Sequence, residues 1–194
     1  HKGNLGPGSI QWMTAGRGII HSEMPKQENR LLWNFQLWVN LPAKDKMTPP
    51  RYQDLRPEDV PKIGAQMAED SQLAGECEGV RGTVSGIATD PIYLNVAIPR
   101  HSTFEQPITP GHTACWHLFE GEGCFGGQEG HTGQAVEEHT LAVLSDGDTI
   151  GVDTAELPAH ILILAGRPLN EPVAWYGPFV KNTKEEVMEA VEDP

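Results

Sequence analysis

The stretch "GRGIIHSEMP" (Gly16–Pro25) sets an imidazole, His21, two residues before a carboxylate, Glu23. On a strand, residues i and i+2 project from the same face, so both side chains can enter one barrel interior while Ser22 points away. A neutral imidazole nitrogen and a carboxylate oxygen are two of the three ligands of the facial triad that holds non-haem iron. The plain alternative is a polar strand end on which the two groups face water or each other. The flanks favour the first reading. "GPGSIQWMTAGRG" supplies glycines for tight turns, with Trp12 and Met13 to wall an apolar pocket, and Pro25 stops the strand.

Other reactive residues are scattered. His101, His112, His117, His131, His139 and His160 lie further along. His112 and His117 are five apart, which on one strand puts them on opposite faces. His160 repeats the position of His21: Gly147 precedes it by the same interval that separates Gly8 from His21, and in each copy a glycine-containing turn, a strand and a second turn lead to a strand that begins with histidine. Two residues on, however, stands Leu162 rather than a carboxylate, so His160 is expected to be structural. Cys115 and Cys124 flank an "HLFEGEG" turn and Cys77 is distant; with no CxxC pair, all are expected to be free thiols of a reducing compartment. P-loop, GxSxG, HExxH and dinucleotide signatures are absent.

The elements that must position these residues read as short strands between glycine- and proline-rich turns. "LLWNFQLWVNLP" (Leu31–Pro42) alternates, with Trp33, Phe35, Leu37 and Val39 on one face, and "IYLNVAIP" (Ile92–Pro99) does the same. "TACWHLFEGEG", "HTLAVL", "HILILAG" and "VAWYGPF" continue the pattern, which predicts an all-β barrel or sandwich. Between Lys44 and Gln72 a polar, proline-broken segment reads as a connection, with a helical turn near Pro57–Val60. "NTKEEVMEAVEDP" predicts a C-terminal helix, with Thr183 and Glu186 spaced as a capping box. Net charge is −13 over 194 residues without a Lys/Arg run, which argues against contact with nucleic acid or an anionic membrane. No apolar run reaches the roughly 20 residues of a bilayer span, and no signal peptide is visible. A cytoplasmic monomer is expected.

"GPGSIQWMTAGRGIIHSEMP", "LWVNLP", "KMTPPRYQDL", "GHTACWHLFEGEG" and "GPFVKNTKEEV", in that order over almost the whole chain, resemble the pirin family. The resemblance implies a bicupin, two stacked cupin β-barrels. Residues 1–60 would then be the closing part of an incomplete N-terminal metal-binding barrel plus linker. Residues 61–194 would be the C-terminal barrel, without metal, and its short helix. It also implies one iron held by three histidines and a glutamate, of which His21 and Glu23 match the last two. The earlier histidines belong to an H-P-H-type motif that these residues lack, so two further ligands are expected upstream of His1 in a longer protein. Manganese, cobalt, nickel or copper would suit the same donors. The implied activity is that of a quercetin 2,3-dioxygenase acting on an aromatic flavonol, with Glu23 as ligand and base. The alternative implied function is an iron- or redox-sensing regulator that binds protein partners such as transcription factors and turns over no substrate.

Overall fold

The structure, a computed structural model, describes residues 3–26, 32–62, 71–77, 79–127 and 133–193. The order of elements is β1 (Ile10–Thr14), β2 (Arg51–Leu55), β3 (Ser71–Ala74), β4 (Glu76–Cys77), β5 (Val80–Arg81), β6 (Ile92–Ile98), β7 (Thr103–Pro107), β8 (Thr113–Phe125), β9 (Gln134–Glu137), β10 (Thr140–Val143), β11 (Thr149–Asp153), β12 (Ala159–Gly166), β13 (Ala174–Tyr176), β14 (Phe179–Lys181) and α1 (Lys184–Glu192). This is the expected all-β class with one short helix. By contact the chain parts into two units: His1–Trp12 with Gln53–Pro168, and Met13–Tyr52 with Leu169–Pro194. β1 and β2 pair with each other in a small sheet.

The first unit is built on an eight-stranded sheet, β3-β6-β12-β8-β11-β7, with β9 and β10 also paired to β8. Its strands alternate as period-2 hydrophobicity requires. In the register of β12 with its two neighbours, Val96, Ile161 and Leu118 form one inward row and Leu94, Ile163 and Trp116 the next. All six are buried, most of them completely. Trp116 stacks on Phe125 with ring centroids 3.6 Å apart. Each such side chain contributes about 1.5–3 kcal/mol of burial free energy, and hydrocarbon fills this face. A smaller cluster packs Leu55, Val60, Ala74 and Val84 against Ile10, Trp12, Ile87 and Tyr93. Trp12 is therefore committed to this cluster.

Three local readings change. β8 runs unbroken through "HLFEGEG" as one 13-residue strand, so Cys115 and Cys124 do not face each other across a turn. The glycines there serve a bulge: opposite the His160/Ile161 step the β8 register skips Phe119, and Gly121 takes φ +83°. A Cβ on Gly121 would sit 2.0 Å from the Pro158 carbonyl oxygen, so no other residue fits. "VAWYGPF" is not one strand but a hairpin, β13–β14, turning at Gly177 and Pro178. The Lys44–Gln72 connection contains a strand, β2, besides the expected helical turn at Pro57–Asp59.

The second unit holds the β13–β14 hairpin, α1, a 3-10 turn at Ala43–Asp45 and irregular segments on either side of residues 27–31. The capping box forms as read: Thr183 Oγ1 accepts from the Glu186 N–H, and Glu186 returns to the Thr183 N–H. Residues 32–42, read as a strand, are not one. Their alternation would bury Trp33, Phe35 and Leu37 against a neighbouring strand. They belong to no strand, and all three side chains are exposed.

Candidate metal centre

The arm that carries His21 and Glu23 starts at a tight turn. Gly18 N–H donates to the Ala15 carbonyl, and Arg17 N–H donates to the carbonyl of Thr48, both at 3.0 Å. Gly16 makes that contact possible. Its φ is +56°, and a Cβ there would lie 2.0 Å from the Thr48 oxygen. Beyond the turn residues 18–26 belong to no helix or strand. His21 Nε2 and Glu23 Oε1 come within 4.0 Å of each other. Both side chains are open to solvent, 41 % and 64 % exposed, rather than enclosed in a barrel as the strand reading expected. The physical reason is that a two-residue spacing can bring the groups together by itself, whereas enclosure needs neighbouring strands. The second copy of the glycine-to-histidine spacing shows the contrast. His160 lies on β12, which is paired on both edges, and it is mostly buried.

The donor types suit a divalent cation. Two donors about 2.1 Å from one ion and at right angles lie roughly 3 Å apart, so side-chain rotation of about 1 Å would bring this pair onto one metal. Among the described residues no group of three or more His, Cys, Asp or Glu side chains converges to hold a metal.

The remaining histidines do other work. His160 lies over Phe119, ring centroids 4.4 Å apart, with Nδ1 3.9 Å from Glu120. His117 Nδ1 sits 3.1 Å from the Thr140 carbonyl, and His117 faces Leu141 and Leu162 on the strands either side. His112 lies just before β8 and lines a recess with Ile108 and Thr149. His101 and His139 occupy positive-φ positions beside Glu156 and Glu138. His131 lies outside the described residues. None of the three cysteines forms a disulfide among the described residues, and burial pushes the Cys115 thiol pKa up, which disfavours the reactive thiolate.

One group of residues escaped the sequence reading. Lys46 is buried, and its Nζ donates to Asn40 Oδ1 at 2.7 Å and to the Val180 carbonyl at 3.4 Å. Beside it the Ala43 N–H donates to Glu171 Oε2 at 2.7 Å, and Asn182 Nδ2 donates to the same oxygen at 3.1 Å. Desolvation lowers the Lys46 pKa; Glu171 and Glu186 oppose this and Lys181 adds to it. A lysine in a charged, proline-rich stretch carries no signal that it will be buried. Its partner Val180 stands 134 residues away, and Glu171 stands 128 residues from Ala43.

The curled antiparallel sheet, its filled inner face and the glycine-anchored arm define a protein of the cupin class. The Pirin C-terminal cupin domain matches residues 93–193, and the Pirin model matches residues 1–39, which include His21 and Glu23. A pirin-like protein of Solanum lycopersicum is 42 % identical over 194 residues, covering all of this chain and 65 % of its own length. Human Pirin is 38 % identical over 194 residues, again covering all of this chain and 66 % of its own length. The chain thus spans about two thirds of the curated relatives it matches. A solved structure of quercetin 2,3-dioxygenase from Acinetobacter baumannii superposes with a TM-score of 0.77 at 28 % identity, over 96 % of this chain and 65 % of that one. The chain belongs to the pirin family. Among the described residues no helix is long and apolar enough to cross a membrane.

Proposed function

We propose that this chain contributes His21 and Glu23 as two protein ligands of a divalent metal, iron first, in a pirin-type oxidoreductase that cleaves a flavonol with O₂. The remaining ligands would come from a segment upstream of His1. The observation that carries the reading is the approach of His21 Nε2 to Glu23 Oε1, 4.0 Å, on an arm held by the Gly16 turn within the region matched by the Pirin model. The resemblance to a quercetin 2,3-dioxygenase supports the substrate class.

The metal, when bound, would supply a Lewis acid that lowers the pKa of a coordinated enol hydroxyl and passes electron density toward O₂. The protein's part is specific. His21 would hold the cation through a neutral ring nitrogen. Glu23, one oxygen on the cation, would take the flavonol hydroxyl proton on the other, the role of a general base within hydrogen-bond reach. The two-residue spacing keeps both groups on one side of the chain. The test is turnover of quercetin by the complete, iron-loaded protein, followed as loss of flavonol absorbance with release of carbon monoxide. Turnover abolished by Glu23→Ala supports the enzyme. A fully metallated protein that leaves quercetin intact assigns the site instead to metal or redox sensing for a protein partner.

A further inference from the structure

We propose that Lys46, with Glu171 and Asn182, is a positioning latch through which the C-terminal segment fixes the arm bearing His21 and Glu23; the inference rests on the metal-site reading given above. Each link lies within one unit of the structure. The C-terminal end supplies three acceptors or donors: the Val180 carbonyl on β14, the Glu171 carboxylate and the Asn182 amide. Lys46 and the Ala43 N–H take the first two, which fastens the Ala43–Asp45 turn to that segment. The turn continues by its own hydrogen bonds, Lys46 N–H to Ala43 and Thr48 N–H to Asp45. Thr48 then offers its carbonyl to the Arg17 N–H, beside a glycine that no other residue can replace without collision. Four residues after Arg17 stands His21. A second tie runs alongside, Lys181 Nζ to Met47 Sδ at 3.3 Å.

The chemistry of the latch explains why it is built from charge. A buried ammonium is tolerated only with partners, and here it has two oxygen acceptors, with the Glu171 and Glu186 carboxylates nearby. An apolar residue at position 46 would fill the space but leave Asn40 Oδ1 and the Val180 carbonyl without their shared donor. Residues that orient metal ligands from behind typically set metal affinity by 10–100-fold when removed. The arm itself has no strand partner among the described residues, so the Thr48 contact is the described backbone tie that locates its start.

The experiment uses the complete protein and three substitutions: Lys46→Met, Glu171→Gln, and Leu118→Ala as a destabilising change in the other unit. Two quantities are read: hydrogen–deuterium exchange of the Arg17 amide without metal, and Co(II) affinity by absorbance titration. The latch predicts that Lys46→Met speeds Arg17 exchange and weakens Co(II) binding, each about tenfold or more. Leu118→Ala should lower the melting temperature yet leave both readings as in the unsubstituted protein. Should Lys46→Met fail to fold, Glu171→Gln decides on the same two readings. Exchange and affinity unchanged in the latch variants overturn the proposal. If the unsubstituted protein takes up no Co(II), the metal reading fails by itself, and Arg17 exchange alone decides the latch.

Discussion

Replacing Gly16 by alanine adds one methyl group, five residues before the nearer proposed ligand, His21. At φ +56° an L-residue costs about 1–2 kcal/mol more than glycine. The added Cβ would stand 2.0 Å from the Thr48 oxygen, far inside contact, so the Arg17 to Thr48 hydrogen bond must open, at about 1 kcal/mol net. Together these come to roughly 2–3 kcal/mol, which for a chain of this size lowers the melting temperature by about 5–10 °C. Gly6→Ala is the control, since nothing lies within 4 Å of a Cβ there. Scanning calorimetry of both variants, with Co(II) titration of each, makes the comparison. Gly16→Ala should lose stability and metal affinity together, and Gly6→Ala neither. A Gly16→Ala protein within about 0.5 kcal/mol of the parent, the scale of a neutral surface change, would refute the role given to this turn.

Leu118, fully buried between Ile161 and the rest of the inward row, should cost about 2–5 kcal/mol as alanine, read by urea denaturation. Thr183→Ala removes the acceptor of the Glu186 N–H and should cost about 1 kcal/mol, with loss of helical circular dichroism. Backbone N–H groups of Thr183, and then of Asn182, hold the Glu186 carboxyl below the usual carboxylate pKa. Its stabilising contribution is therefore complete above the unfolded value of 4.5 and is lost as pH falls through the lower folded value, which acid titration of the helix signal measures. For Lys46 the slope has the same sign but falls in the alkaline range. Its folded pKa lies below 10.5, so the unfolded chain binds more protons in that window and stability rises with pH there. Lys46→Met should flatten that rise in a comparison of unfolding free energies across the alkaline range.

How far the sequence disclosed this molecule depends on where each element finds its partners. β6 and β12 were legible because alternation and burial agree: Leu94, Val96 and Ile98 face in, as do Ile161 and Ile163. The capping box at Thr183 was legible because a cap is a local contact. Residues 32–42 alternate just as clearly and yet form no strand, because alternation records only a tendency that a neighbouring strand must complete. The bulge at Phe119 was hidden for a related reason. The glycines of "HLFEGEG" announce an unusual backbone, but whether that means a turn or a bulge is decided by the Pro158 carbonyl across the sheet. The approach of His21 to Glu23 was legible because it is a two-residue spacing, while Lys46, Glu171 and Asn182 meet only after folding.

The central claim is that one imidazole and one carboxylate, two residues apart, hold a cation. Anaerobic equilibrium dialysis of the complete protein against Fe(II), followed by metal analysis of the unsubstituted, His21→Ala and Glu23→Ala proteins, tests it directly. Close to one iron per chain in the first and little in either variant is the expected result. Equal iron in all three, or none in any, would contradict it.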